Sequence, residues 1–256
     1  MKWSKTEIKI LKDSFMNKGE YYLSHVFDNR SPSAVRAKAN RLGIKKLAYR
    51  NNVKLKSDEQ QIILGSLLGD MYSRIKSTCR NALLEEAHCV KQKPYLLWKI
   101  RNLENISLNL RKTKIGSWHS ESKTYPILNY YHGLFYKDGR KQITMNILNK
   151  VNSLGLAVWY MDDGSYNKRD NNCVIYTNCF SYKEHLVIKD WFKDRWNIDS
   201  MIYSGYKRGK QFYVTAFNVK ETKKFIKIIR PFIHTSMNYK VGIYDAMKQN
   251  GKPRRY

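Results

Sequence analysis

Two stretches of this chain echo each other 93 residues apart, and together they limit most of what it can fold into. Ile63-Leu64-Gly65-Ser66-Leu67-Leu68-Gly69-Asp70-Met71 and Leu156-Ala157-Val158-Trp159-Tyr160-Met161-Asp162-Asp163-Gly164 are each an apolar helical run that ends in an acid. A helix that is apolar all round is buried on nearly every side, and a carboxylate at its end must face solvent or a cation. Two copies imply two such carboxylates brought together. Gly65, Ser66 and Gly69 would let a second helix approach closely, leaving Asp70 and Asp163 near neighbours. Acids that close repel unless a cation lies between them, and a divalent ion that prefers oxygen donors, Mg²⁺ above all, is the natural occupant.

Charge narrows the partner. The 256 residues carry 48 Lys and Arg against 21 Asp and Glu, a formal net charge of +27. The excess is spread along the chain: residues 1–56 hold 14 basic against 4 acidic side chains, and residues 201–256 hold 13 against 2. Such a chain repels itself unless a polyanion neutralises it. With 19 Tyr and 6 Trp among the bases, nucleic acid suits it better than an anionic membrane surface. The apolar runs are too short to span a bilayer, and Met1-Lys2-Trp3-Ser4-Lys5-Thr6-Glu7 has no apolar export core. The expectation is an intracellular, DNA-associated monomer, in a bacterial or phage-infected cytoplasm or an organelle. Cys79, Cys89, Cys173 and Cys179 lack the paired spacing of a zinc ribbon and read as reduced, mostly buried small hydrophobes.

Residues 1–46 read as a separate module of three short helices. Ser4 and Glu7 form a capping-box pattern ahead of Ile8, Leu11 and Phe15, residues 21–27 fit a second helix, and residues 30–44 start on a serine cap with Pro32 and stop at Gly43. A basic linker over 47–56 follows, then repeats over 57–150 and 151–245, then a basic tail over 246–256. In the first repeat, 72–78 and 83–89 predict a hairpin, 94–107 a helix, and 113–118 and 125–131 strands. The second repeats the order, with strands about 165–167 and 173–180, a helix over 182–196, a hairpin of 201–206 with 211–217, and a helix over 220–229. The predicted class is α+β, a duplicated αββαββα unit plus the N-terminal module. Arg74, Lys76, Tyr166, Lys168, Lys207, Lys210, Gln211, Tyr213 and Thr215 are expected to face outward from strands as candidate groove contacts.

The two acid-ended runs resemble the LAGLIDADG motif of homing endonucleases, with Asp70 and Asp163 at its eighth, catalytic position and Met71 where the motif ends in glycine. His88 with Lys91-Gln92 and Tyr95, then Tyr136-Lys137-Asp138-Gly139-Arg140-Lys141, then Asn238-Tyr239-Lys240 follow in the family's order. The resemblance, to the single-chain, two-motif branch, runs from about Ser57 to Asp245. It implies two sheets forming a DNA-binding saddle and a metal-dependent double-strand break that leaves short 3′ overhangs. It further implies Asp70 and Asp163 as metal ligands and Lys141 and Lys240 as catalytic residues beside them. Mg²⁺ is the implied cofactor, with Mn²⁺ a substitute, and double-stranded DNA the partner. The N-terminal segment resembles Myb/SANT-like DNA-binding domains, which would bring Arg36, Lys38, Asn40 and Arg41 to the major groove. The competing reading is a non-cleaving intron RNA maturase or DNA-binding regulator on the same scaffold. Two metal-less aspartates facing phosphates would only repel them, which favours cleavage. An intein is disfavoured by Met1 and the Arg254-Arg255-Tyr256 ending. Asp162 reads as a neighbouring structural acid, and His88 and His132 as hydrogen-bonded structural histidines.

Overall fold

A computed structural model describes residues 3–27, 29–44, 53–114 and 116–242. The chain divides into two compact units between Lys141 and Gln142, earlier than the expected repeat boundary at 150. Linker residues 47–52 and the basic tail over 246–256 lie outside the described residues. Among the described residues, no helix is long and apolar enough to cross a membrane.

The first unit opens with α1 (Lys5–Val26), whose start is the expected capping box between Ser4 and Glu7. The span from Lys5 to Val26 consists of two helical segments that meet at a kink at Gly19, whose φ of 71° only glycine adopts readily. The helix α2 (Pro32–Arg41) follows, capped by the Ser31 hydroxyl with proline in its first turn. Arg30 ties the pair together: it lies 4.4 Å over the Trp3 ring and meets Glu7 at 2.9 Å. These helices do not stand apart from the rest of the unit. Lys18 is buried and donates to the carbonyls of Ile100 and, at 3.1 Å, Leu103. Arg101 donates to the Tyr22 hydroxyl at 3.2 Å, and His25 packs edge-on against Trp118 at 4.5 Å. Burial, aided by the Lys93 ammonium, pushes His25 down to about 4, so it packs as a neutral ring.

The remainder of the unit comprises α3 (Ser57–Leu68), β1 (Tyr72–Arg74), β2 (Leu83–His88), α4 (Lys93–Asn102), β3 (Leu108–Lys112), β4 (Trp118–Ser122), α5 (Pro126–Phe135), β5 (Tyr136–Lys137) and β6 (Arg140–Lys141). The first four strands form an antiparallel sheet in the order β1-β2-β4-β3. Two expectations need correction. The segment expected as a strand over 125–131 is the start of α5: Pro126 opens the first turn, and Leu128, Tyr131 and Phe135 recur at helical spacing and are buried. The strand expected over 113–118 is mostly the turn between β3 and β4.

The second unit contains α6 (Met145–Leu148), α7 (Ser153–Asp163), β7 (Gly164–Asn167), β8 (Asn172–Ile175), α8 (Tyr182–Trp196), β9 (Met201–Lys207), β10 (Lys210–Phe217), α9 (Val219–Ile229) and a 3₁₀ segment, Thr235–Val241. Side-chain caps fix where the helices begin: Asn152 for α7, Ser181 with Glu184 for α8 and Asn218 for α9. The sheet order is β7-β8-β10-β9, all antiparallel. Phe217 stacks on Phe225 at 4.8 Å, and Phe192 and Tyr160 meet Phe225 edge-on, forming the aromatic core beneath the sheet. Each buried ring contributes roughly 1.5–3 kcal/mol through apolar burial. The four cysteines form no disulfide among the described residues, only Cys173 is buried, and Cys179 lies beyond β8.

Candidate active site

In the first unit the apolar helix α3 ends at Leu68. The Gly69 N–H still bonds the Gly65 and Ser66 carbonyls, and the Met71 N–H turns back to Ser66 at 2.9 Å. That turn leaves Asp70 exposed and Met71 fully buried. Lys141 arrives on the β5–β6 hairpin, whose Asp138-Gly139 turn has φ of 50° and 74°, the geometry this dipeptide supports. Its ammonium donates to the carbonyls of Gly69 at 3.3 Å and Met71 at 2.9 Å. His88, buried on β2, brings Nδ1 to 3.7 Å from the Asp70 carboxylate.

The second unit repeats the acid and the lysine. Here the helix α7 runs through Asp163 itself, and the Asp163 carbonyl accepts from the Tyr176 N–H at 2.9 Å. Lys240, buried in the 3₁₀ segment, donates to the carbonyls of Met161 at 2.6 Å and Asp162 at 2.8 Å. Its own carbonyl accepts from the Tyr160 hydroxyl at 2.7 Å. Because α7 continues two residues further along the motif than α3 does, Gly164 is pressed against Tyr160: a Cβ there would run into its carbonyl oxygen and ring. The earlier end of α3 explains how Met71 takes the equivalent position without such a clash. Gly164→Ala is expected to cost about 1–3 kcal/mol by overpacking, measured as a fall in Tm.

An acid at a helix C-terminus faces the negative end of the helix dipole, so each such carboxylate favours a nearby cation. In both units the lysine ammonium satisfies carbonyls at the helix end. Asp70 in one unit, and Asp163 with Asp162 beside it in sequence in the other, offer hard carboxylate oxygens, a donor type that fits Mg²⁺. The sequence-predicted site residues thus sort into two sets, Asp70 with Lys141 and Asp163 with Lys240.

The candidate groove contacts divide differently. In α2, Arg36, Asn40 and Arg41 are exposed and Lys38 is half-buried, with Arg36 ion-paired to buried Glu20. Arg74 and Lys76 are partly exposed and held by acids: Arg74 donates to Glu85 at 2.9 Å, and Lys76 to Glu121 at 3.0 Å. Lys168, Lys207, Lys210 and Gln211 are exposed. Four positions expected to point outward do not. Thr215 is buried and bonded to Thr177, and Tyr213 leans on Tyr182 and His185 of α8. Alternate residues of β10 share a face, so Gln211 also lies on the helix side, opposite Lys210. Tyr166 packs beneath Gly242 and donates to Asn171 at 2.9 Å.

Sequence reasoning missed the acids of β2. Glu85 accepts from Arg74 and the Tyr72 hydroxyl, while Glu86 points to the other face, where Lys99 meets it at 2.7 Å. The available signal was two adjacent acids in an apolar strand. Burial pushes Glu85 up, but the Tyr72 and Arg74 bonds hold it down at about 2; Glu7 is held at about 2 chiefly by Arg30. Carboxyls lowered from 4.5 contribute stability that is complete above about 4.5 and lost as pH falls toward 2. The Tm is expected to fall steeply across that window, and Glu85→Gln to flatten the fall.

The model of the LAGLIDADG DNA endonuclease family matches residues 60–225, and the chain belongs to that family. The cytochrome b mRNA maturase bI2 of Saccharomyces cerevisiae is 31% identical over 202 residues, covering 72% of this chain and 47% of its own. Protein RecA of Mycobacterium shimoidei is 29% identical over 201 residues, 73% of this chain and 47% of its own. The chain therefore spans about half the length of these curated relatives. In fold it is similar to the homing endonuclease I-WcaI, solved bound to its DNA recognition sequence, with a TM-score of 0.65 at 20% identity over 82% of this chain and 99% of that one.

Proposed function

We propose that the protein is a site-specific, metal-dependent DNA endonuclease that breaks both strands of a long duplex target, each unit serving one strand, and leaves short 3′ overhangs. The observation that carries this reading is the repeated pairing of an acid with a lysine at the end of an apolar helix: Asp70 with Lys141 bonded to Gly69 and Met71, and Asp163 with Lys240 bonded to Met161 and Asp162. Asp70 and Asp163 would hold Mg²⁺, with Mn²⁺ able to substitute. Such an ion supplies an activated water and neutralises charge at the phosphate. Lys141 and Lys240, fixed by carbonyls, keep positive charge where the phosphate becomes more negative. Arg36, Lys38, Asn40 and Arg41 on α2, with Arg74, Lys76, Lys168, Lys207 and Lys210, are the proposed contacts to double-stranded DNA. The partner assignment is supported by the family, by the net charge of +27 and by the fold shared with a DNA-bound endonuclease.

A second reading has its own support. The similarity to bI2, named as an mRNA maturase, makes intron RNA a candidate ligand for the same scaffold. One experiment separates the two. A randomised and host-derived duplex library is exposed to the protein with Mg²⁺, and the ends are sequenced. Discrete paired breaks with 3′ overhangs, lost in EDTA, are the expected result. No breaks, together with tight binding to structured intron RNA, would transfer the conclusion to the maturase.

A further inference from the structure

Behind Asp70 lies a buried chain of charged groups. The side chains of His88, Glu86 and Lys99 have no exposed surface, whereas that of Asp70 keeps 37%. Lys99 Nζ meets Glu86 Oε2 at 2.7 Å, and the same oxygen lies 3.1 Å from His88 Nε2. The Ser120 hydroxyl donates to the other Glu86 oxygen at 3.4 Å. Burial pushes the Glu86 carboxyl up, but Lys99 and His88 outweigh it and keep the group ionised. A carboxylate there accepts from the Nε2–H, which turns Nδ1 toward the Gln92 side-chain oxygen, at 3.3 Å, and the Asp70 carboxylate, at 3.7 Å; both are acceptors, so the ring meets them as a donor at Nδ1. The ring also packs edge-on against Tyr95 at 5.6 Å.

The second unit builds the same positions from different residues. Tyr72, two residues after Asp70, pairs with Glu85, and Ser165, two residues after Asp163, pairs with Val174. By that register Glu86 corresponds to Ile175 and His88 to Thr177. The helix α4 starts five residues after His88, and α8 starts five after Thr177, so Lys99 corresponds to Ile188. Ser120 opposite Glu86 likewise corresponds to Thr215 opposite Ile175. Where the first unit carries a lysine, a glutamate and a histidine, the second has two buried isoleucines and a threonine. The Thr177 hydroxyl engages His185 at 2.7 Å.

We propose that His88, anchored from behind by Glu86 and Lys99, is a positioning residue for the Asp70 carboxylate in the first unit alone, so that the two DNA strands are cut with unequal dependence on it. The inference rests on the endonuclease reading above. Nothing in the second unit's Ile175, Thr177 and Ile188 can supply the same support, because neither isoleucine carries a polar atom.

The test is strand-resolved cleavage by the full chain with Mg²⁺, on a duplex carrying the site recovered from the library and labelled differently on each strand. His88→Ala is expected to slow one strand by roughly 10- to 100-fold and leave the other near the wild-type rate, so nicked duplex accumulates. His88→Gln, whose amide can still donate toward Asp70, should recover part of the loss. A histidine-ring ¹⁵N NMR spectrum supplies a readout that needs no cleavage: Asp70→Asn and Glu86→Gln should each shift the His88 resonances. Equal slowing of both strands by His88→Ala and His88→Gln alike, unchanged rates, or His88 resonances indifferent to Asp70→Asn would each overturn the proposal. A wild-type protein that never cuts defeats the endonuclease reading instead, and the NMR shifts then decide whether His88 holds Asp70.

Discussion

Asp70→Asn and Asp163→Asn are each expected to abolish the double-strand break, lowering its rate by roughly 10³-fold or more, while DNA binding stays near wild type. The substitution keeps the shape of the side chain and its place at the end of α3 or α7, but removes the negative charge and the anionic oxygen that would hold a divalent ion. Lys141 and Lys240 keep their carbonyl partners in the variants, because those bonds go to main-chain oxygens and not to the acids. Binding in the absence of divalent ion should hold steady or tighten, since one charge that repels phosphate is gone. Single-turnover cleavage and gel-shift titration of the same duplex check both halves of this expectation. Normal cleavage by either variant would remove Asp70 and Asp163 from the chemistry.

Lys99→Met should destabilise the protein by about 3–5 kcal/mol, because it strands Glu86 in the core with its principal counter-charge removed. The paired variant Glu86→Ile with Lys99→Ile, which copies Ile175 and Ile188 of the second unit, should recover most of that loss. Replacing both members of a buried ion pair with apolar groups of similar volume is often neutral or better. The loss of an acceptor for His88 Nε2 opposes full recovery. Urea unfolding of the three proteins measures the difference. If the paired variant is no more stable than Lys99→Met, the charges contribute through more than their mutual attraction.

The elements that announced themselves in the sequence did so through local rules. Asp70 and Asp163 stood out because an apolar helix seldom ends in an acid, and Ser4 with Glu7 marked the start of α1 at the residue where the structure begins it. Residues 125–131 misled because Tyr125, Tyr130 and Tyr131 favour strands, while the burial of Phe135 beyond them, which completes the helical stripe, depends on tertiary packing. The outward face of β10 was misassigned at Tyr213 and Thr215 because alternation fixes which residues share a face but not which face meets α8. Glu86 and Lys99 were illegible for a related reason. Both lie in otherwise apolar stretches, and only the pairing of β2 with β4 and the docking of α4 give them partners.

The docking of α1 through Lys18 onto the end of α4 bears on how the protein would measure its target. A module on a loose tether can find its bases at a range of distances and on either side of the duplex. Because α1 is fixed to the first unit, and α2 to α1 through the Glu20–Arg36 and Glu7–Arg30 pairs, α2, if it is a DNA contact as proposed, would work as a rigid ruler instead. Its bases would have to lie at one spacing and one rotational phase from those read by the first unit's sheet, so roughly five inserted base pairs, about half a helical turn, would put the two footprints on opposite faces of the duplex.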